Sequence, residues 1–154
     1  RFMLKVLIGY PSKEEERSII RENIGTSFPS PDTVIKTSDI IKARSVVRDV
    51  YMDEKIENYI LDIVFATREP GRYNLEKFRP MISYGASPRA SIYLALASKS
   101  FAFIKRRGFV IPEDVRAVCH DVLRHRIGLT YEAEAENISQ DNIITEILNT
   151  VEVP

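Results

Sequence analysis

The sequence predicts a mainly α-helical fold, in which a short strand–helix unit over residues 1–36 precedes a helical domain over residues 37–154. Three observations support this prediction. Apolar residues alternate over residues 2–9, as in a β-strand. A stretch rich in glycine and proline follows over residues 25–37 and indicates a linker. Beyond it, apolar residues recur at helical spacing behind residues that favour helix starts.

The first unit combines a strand pattern with a helix-start pattern. Both faces of the segment from Phe2 to Gly9 are largely apolar, which is typical of a strand buried in a layered α/β core. Ser12, followed three residues later by Glu15, has the spacing of a capping box. A helix is therefore predicted from Lys13 to about Asn23.

The second unit consists of helices that start at serine, aspartate or proline. Predicted helices run from Asp39 to Val50, from Asp53 to about Arg68, from Ser87 to Gly108, from Pro112 through Val122, and from Ser139 through Leu148. The long segment 71–85 between two of them is predicted to be a loop, and loops of this length tend to be functional or disordered, with packing over the domain as a further alternative. A small two-stranded element is predicted near Phe109 and Ile127.

Composition narrows the class of protein. Lysine plus arginine and aspartate plus glutamate both number 22 in the 154 residues, so the bulk charge gives no indication of a nucleic-acid or membrane partner. Apolar runs stay well below the ~18 residues of a membrane span, and the sequence shows no signal peptide. The single cysteine, Cys119, is expected to be a buried thiol, and a cytoplasmic setting is expected. A chain that starts at Arg1 is expected to be a piece of a longer protein.

The most informative segment for function runs from Gly85 to Arg89. Ser87 is a preferred N-cap and Pro88 favours the first helical position, so Arg89 falls in the first helical turn. A cation there is opposed by the helix dipole by about 0.3–1 kcal/mol. The conflict is resolved if an anion binds at the helix start, because the amides and the guanidinium then both face it. A phosphate group fits best, and a solvated or carboxylate-paired arginine is the alternative.

At this point the chain resembles a known family. The sequence Gly85-Ala86-Ser87-Pro88-Arg89-Ala90 resembles the sensor 2 motif of MoxR-type AAA+ ATPases. Four further segments are similar to signatures of that family: Gly9-Tyr10-Pro11-Ser12, Tyr51 to Arg68 with Ala66-Thr67-Arg68, Val110-Ile111-Pro112-Glu113-Asp114-Val115, and Val122-Leu123-Arg124-His125-Arg126. The resemblance covers nearly the whole chain. It implies the end of an α/β AAA+ core over 1–36, followed by the helical lid over 37–154.

The resemblance also implies site residues and partners. Arg89 matches the sensor 2 arginine that contacts the γ-phosphate, with Gly85, Ser87 and Pro88 as neighbouring binding residues, and Arg1 matches the position of an arginine finger. In the full-length protein the family uses ATP and Mg²⁺, forms rings that are usually hexamers, and has a chaperone-like role in maturing or assembling other proteins. Partners with von Willebrand factor A domains are common in that family.

The sequence lacks two parts of an ATPase. It contains neither the G-x-x-x-x-G-K-[ST] loop that cradles phosphates nor an apolar run ending in Asp-Glu that holds magnesium. This chain is therefore expected to be inactive without the rest of the protein and to hold no nucleotide or metal of its own.

Two alternatives remain open at this stage. One is the lid of a magnesium-chelatase-like AAA+ motor. The other is a helical module that binds protein or nucleic acid without nucleotide, through the basic cluster Lys105–Arg107 or through basic residues of the region 68–85, such as Arg72, Lys77 and Arg79. The cluster has a plainer interpretation as a solvated helix end, and an acidic stretch at Glu132, Glu134 and Glu136 reads as a solvated turn. His120 and His125 are not spaced as a helical metal pair.

Overall fold

Residues 2–24 and 30–154, which the computed structural model describes, form seven α-helices, two short 3₁₀ segments and one two-stranded sheet. The α-helices are α1 (Lys13–Asn23), α2 (Thr37–Asp49), α3 (Glu54–Ala66), α4 (Pro88–Ile104), α5 (Pro112–Leu123), α6 (Tyr131–Ala135) and α7 (Gln140–Thr150). The strands are β1 (Ile82–Tyr84) and β2 (Gly128–Leu129), and the 3₁₀ segments are Pro70–Tyr73 and Glu76–Met81. The predicted mainly helical fold class is confirmed.

Local capping sets the bounds of the first two helices. The capping box is present, since the Ser12 amide donates to the Glu15 carboxylate (2.7 Å) and the Glu15 amide donates to Ser12 Oγ (3.3 Å). Helix α1 therefore has the predicted bounds. Helix α2 begins earlier than predicted, at Thr37, because the Asp39 carboxylate accepts the Lys36 amide (3.0 Å).

The core lies between α3, α4, α5 and α7, and α4 packs against α2, α3 and α5. The buried face of α4 consists of Ala90, Leu94, Ala97, Ser98 and Ala102. Apart from Leu94, these side chains are small and let the neighbouring helices approach α4 closely. The larger apolar side chains come from α3 and α7, where Ile63, Ile143 and Ile144 are fully buried. Each contributes about 1.5–3 kcal/mol on burial, so this helical core stabilises the domain.

The N-terminal segment does not form the predicted strand, so that prediction is wrong for the described residues. Residues 2–9 carry no strand pairing. The Lys5 amide donates instead to the carbonyl of Asp121 in α5 (2.8 Å). The apolar side chains stay exposed, by 83% at Phe2 and 92% at Ile8. A strand requires a partner ladder, and the described part of this chain places none beside the segment.

The small sheet exists, but with a different partner than predicted. Strand β1 pairs antiparallel with β2, with Ile82 opposite Leu129. Phe109 forms a single parallel bridge with Tyr51 instead. The segment 71–85 therefore contains 3₁₀ turns and a strand where an irregular loop was predicted. This secondary structure packs the segment onto the helical core.

Helix α4 ends before the predicted stop at Gly108. Its last residue is Ile104, and Arg106 adopts the left-handed conformation (φ 59°). The Arg107 amide returns to the carbonyl of Ala102 (2.9 Å), which is the hydrogen bond of a Schellman motif. An arginine thus occupies the position that glycine usually takes in this motif.

A short helix replaces the acidic turn predicted at Glu132, Glu134 and Glu136. Helix α6 starts there because the Thr130 hydroxyl accepts the Ala133 amide (3.4 Å). Ala133 is fully buried, and the glutamates around it are exposed. The solvated character of the three glutamates was predicted correctly, but their conformation was not.

The division of the chain at residues 36 and 37 stays a prediction, and its linker includes residues 25–29, which lie outside the described residues. None of the helices in the described part of the chain combines the length and apolar character that a membrane crossing requires.

A buried ion pair joins the end of α4 to α5. Asp114 is 1% exposed, and Arg107 binds its carboxylate through both terminal nitrogens, with Nη1 at 2.7 Å from Oδ2. The same carboxylate accepts the Ile111 amide (3.0 Å) and so caps α5. Arg107 is thus occupied within the fold, and the basic cluster 105–107 is not a fully solvated helix end.

Replacing Asp114 by alanine is expected to lower the free energy of unfolding by about 3 kcal/mol, because a partly buried guanidinium loses its carboxylate and α5 loses its cap. Urea denaturation measures the change. Glu113→Ala, at the neighbouring exposed position, is the control and should change stability by less than about 0.5 kcal/mol. Equal losses in the two variants would contradict the structural role of Asp114.

Candidate functional site

The candidate site is the start of α4. Ser87 is the N-cap residue and Pro88 occupies the first helical position, as predicted. The hydroxyl of Ser87 accepts no hydrogen bond from the first turn, unlike the side-chain caps of α1 and α3. Arg89 follows in the first turn and is exposed. The structure therefore presents an arginine at the start of a helix whose N-cap side chain makes no capping hydrogen bond.

The segment before α4 is fixed to the end of α3 by a buried junction. The Ala86 amide donates to Thr67 Oγ1 (2.9 Å), and that hydroxyl donates to the carbonyl of Val64 (2.7 Å). Arg68 Nε donates to the Ala86 carbonyl (2.5 Å). Both backbone groups of Ala86 are thus held by adjacent residues of one helix end. Because Ala86 and Thr67 are fully buried, the hydrogen bond between them is shielded from water.

Gly85 is required by the closeness of this junction. A Cβ atom at Gly85 would lie 2.5 Å from the carbonyl oxygen of Thr67 and 2.8 Å from Cγ of Arg68. The first of these atoms belongs to backbone and cannot turn aside. The glycine in the motif therefore serves close packing, which is one of the physical uses of this residue.

Positive charge accumulates around Arg89. The guanidinium of Arg126 stacks over the ring of Tyr93, 4.8 Å from its centroid, and Tyr93 lies one helical turn beyond Arg89. The pKa of Arg126 is lowered by burial and by the positive charge of Arg89. Within residues 2–24 and 30–154, no carboxylate forms an ion pair with either arginine. Two arginines that border the same face of α4 and have no carboxylate partner among the described residues favour the binding of an anion there.

The basic residues of segment 68–85 are partly occupied by other contacts. Arg72 pairs with Glu69 (2.8 Å) and Lys77 pairs with Glu146 of α7 (2.8 Å). A cavity of about 300 Å³ lies beside the segment and is lined by Arg68, Glu69, Pro70, Gly71, Arg72 and Arg79. Leu75 and Phe78 are buried in the core, so the segment is packed over the domain, which is one of the alternatives that the sequence left open.

The remaining candidates from the sequence do not converge on this site. Arg1, the possible arginine finger, lies outside the described residues. His120 Nε2 is 3.0 Å from Thr145 Oγ1, and His125 Nε2 donates to the carbonyl of Phe2 (3.1 Å). No group of three or more His, Cys, Asp or Glu side chains in the described part of the chain could hold a metal ion.

Sequence reasoning misses two functional candidates. Thr67 stands within a family signature, and its place directly after the apolar face of α3 is the signal that could have indicated a buried hydrogen bond. Arg126 was likewise read only as part of a signature. Its contacts with Tyr93 and with Phe2 are long-range and leave no local pattern.

Gly85→Ala is expected to destabilise the protein by about 1–3 kcal/mol, because the new methyl group must push against the backbone of Thr67. Gly108→Ala is the matched control, since a Cβ at Gly108 meets no atom within 4 Å. Thermal unfolding of both variants gives the comparison. A fully stable Gly85→Ala protein would show that the junction is looser than the structure indicates.

Cys119 is fully buried, and burial raises the pKa of its thiol to about 12. The thiolate is the reactive form, so the folded protein is expected to resist Ellman's reagent at pH 8 and to react once unfolded in guanidinium. Fast release of thionitrobenzoate from the folded protein would disprove this expectation.

A family model and several known proteins resemble the chain. Residues 77–147 match the AAA lid domain, a range that includes α4 with Arg89 and the whole of α5. Chaperone MoxR1 of Mycobacterium tuberculosis is 38% identical over 154 residues, which are 100% of this chain and 41% of MoxR1. The uncharacterized protein YeaC of Bacillus subtilis is 34% identical over 155 residues, covering 100% of this chain and 46% of YeaC.

A solved structure extends the similarity to three dimensions. The crystal structure of a candidate ATPase from Cytophaga hutchinsonii superposes with a TM-score of 0.96 at 41% identity. The match covers 100% of this chain and 47% of that protein. The chain thus spans less than half the length of these relatives.

Proposed function

Because this chain belongs to the MoxR-type AAA+ ATPases and corresponds to their lid region, we propose that its α4 presents Arg89 to the terminal phosphate of ATP. The position of the lid would then depend on the state of the bound nucleotide. ATP binding and hydrolysis would be coupled in this way to chaperone-like maturation or assembly of partner proteins.

One observation carries the proposal most directly. Arg89 is exposed and has no carboxylate partner among the described residues, while the backbone just before it is held rigidly by Thr67 and Arg68. A fixed backbone thus carries an exposed cationic side chain at a helix start. This arrangement suits a planar, multidentate contact to phosphate oxygens. In the transition state of phosphoryl transfer, such a guanidinium stabilises the charge that spreads over those oxygens.

The neighbouring residues have supporting roles in this proposal. Ser87 offers a hydroxyl that is not used as a cap, and Pro88 and Gly85 set the path of the backbone into α4. The phosphate-cradling loop and the ligands of Mg²⁺ would come from the part of the relatives that this chain does not span. Mg²⁺, when bound there, would neutralise phosphate charge. Arg1 stays a proposed arginine finger.

We further propose that the full-length protein works as a ring of its own subunits, most simply a hexamer, in the cytoplasm. The relative MoxR1 is named a chaperone, which supports a role on other proteins. Proteins with von Willebrand factor A domains are proposed partners, and neither membrane nor nucleic acid is proposed as one.

The binding-module alternative has less support. It relied on the basic cluster 105–107 and on the basic residues of segment 68–85. Arg107 is occupied by Asp114, and Lys77 by Glu146. A magnesium-chelatase-like lid stays an alternative within the AAA+ class, but the relatives reported above favour the MoxR type.

In the full-length protein, Arg89→Ala is expected to lower the kcat for ATP hydrolysis by about 100-fold, the usual cost of removing one preorganised charge-stabilising donor. Arg89→Lys should restore only part of the activity, because an ammonium group lacks the planar fork. Steady-state phosphate release measures both variants.

The control is Lys105→Ala at the opposite end of the same helix. It removes one positive charge and should leave turnover unchanged. Thermal unfolding of all three variants checks that the fold is retained. Normal turnover in a folded Arg89→Ala protein would remove Arg89 from the mechanism.

A further inference from the structure

Three consecutive residues after α5 hold the backbone of the N-terminal segment. Arg124 Nη1 donates to the carbonyl of Lys5 (2.6 Å). His125 Nε2 donates to the carbonyl of Phe2 (3.1 Å), and the Arg126 guanidinium donates to that same carbonyl. Together with the hydrogen bond that the Lys5 amide donates to the Asp121 carbonyl of α5, these contacts form what we call the 124–126 clamp.

The base of the clamp is firmly anchored. The side chain of Arg124 is 11% exposed and binds two carboxylates, Asp121 at 2.6 Å and Asp141 at 3.0 Å. These partners come from α5 and α7, so the guanidinium is fixed to two helices of the core. The same Nη1 that donates to Asp121 also donates to the Lys5 carbonyl, so this charge-assisted network orients that contact.

Arg126 belongs to the clamp and also to the surroundings of Arg89. It donates to the carbonyls of Val122 (2.9 Å) and Phe2, and it stacks on the ring of Tyr93. Tyr93 and Arg89 are four residues apart on α4 and therefore share one helix face. A single guanidinium thus touches the N-terminal segment on one side and the face of α4 that carries Arg89 on the other.

We propose that Arg126 is a positioning residue, which couples the binding of an anion at Arg89 to the position of the N-terminal segment 2–5. An anion at Arg89 would offset the repulsion between the two cations and so strengthen the contacts of Arg126 with Tyr93 and with the Phe2 carbonyl. This inference rests on the proposed function of Arg89 and extends it. The lowered pKa of Arg126, caused by burial and by the charge of Arg89, supports the closeness of the two cations.

The coupling extends from Arg126 toward the N-terminal part of the chain. Residues 2–5 lead through Pro11 and Ser12 into α1, so a change at Arg126 reaches the part of the protein before the linker. The signature Val122–Arg126 then has a physical purpose. It joins the helix that carries the phosphate-facing arginine to the segment that precedes the lid.

A double-mutant cycle in the full-length protein tests the coupling. Arg126→Gln should lower the kcat for ATP hydrolysis by about tenfold and change KM by less than about twofold, because it disturbs the reacting geometry and not nucleotide binding. In the Arg89→Ala background, the same substitution should change kcat by less than about twofold, because residues that act as a unit are not additive. Arg126→Lys keeps the charge and a donor and should lose no more than about threefold.

Arg72→Gln is the matched control, since Arg72 is an exposed lid arginine with a surface carboxylate partner, and it should leave kcat and KM unchanged. Additive effects of the two substitutions would overturn the coupling, as would an Arg126→Gln protein with normal turnover. If Arg126→Gln fails to fold, the cycle is run with Arg126→Lys, whose small loss should disappear in the Arg89→Ala background. An Arg89→Ala single variant with normal turnover would instead overturn the proposed function itself, so the two failures are distinguishable.

Discussion

The buried hydrogen bond between the Ala86 amide and the Thr67 hydroxyl is the constraint on which the candidate site depends. Both groups are closed to water, so losing either partner would leave the other unsatisfied at a cost of about 1–3 kcal/mol. Gly85 allows the approach, and Arg68 completes it from the carbonyl side. Helix α4 begins directly after this junction, so the junction fixes the position of the backbone that carries Arg89.

The distribution of ion pairs around the Thr67–Ala86 junction distinguishes Arg89 from the arginines that are bound within the fold. The chain has no net charge, so any preference for an anion must come from local arrangement. Arg107 and Arg124 are bound to carboxylates within the fold. Arg126 stacks on Tyr93, one helical turn from Arg89, and neither arginine forms such an ion pair with the described residues. The fold thus neutralises Arg107 and Arg124 and leaves Arg89 and Arg126 without a carboxylate partner among the described residues.

Features set by neighbouring residues could be read from the sequence. The start of α1 followed from Ser12 and Glu15, and the start of α4 from Ser87 and Pro88, because caps act within one turn. Features set by distant residues could not. Thr67 meets Ala86 across 19 positions, β1 finds β2 across more than 40, and the contact of Arg126 with Phe2 spans 124.

The N-terminal segment failed as a strand for a related reason. Its alternating pattern satisfies the local requirement of a strand, but pairing needs a second strand that the described residues do not provide. The phosphate-facing role of Arg89 was inferred from a conflict between a cation and the helix dipole. The structure keeps that conflict, since the described residues supply no carboxylate that would relieve it.

The most direct test is a structure of the full-length protein with Mg²⁺ and a non-hydrolysable ATP analogue. We expect the guanidinium of Arg89 to lie about 2.7–2.9 Å from oxygens of the terminal phosphate, with the Thr67–Ala86 hydrogen bond retained. An Arg89 side chain that pairs with a carboxylate, or that points away from every bound nucleotide in the assembly, would contradict the proposed role.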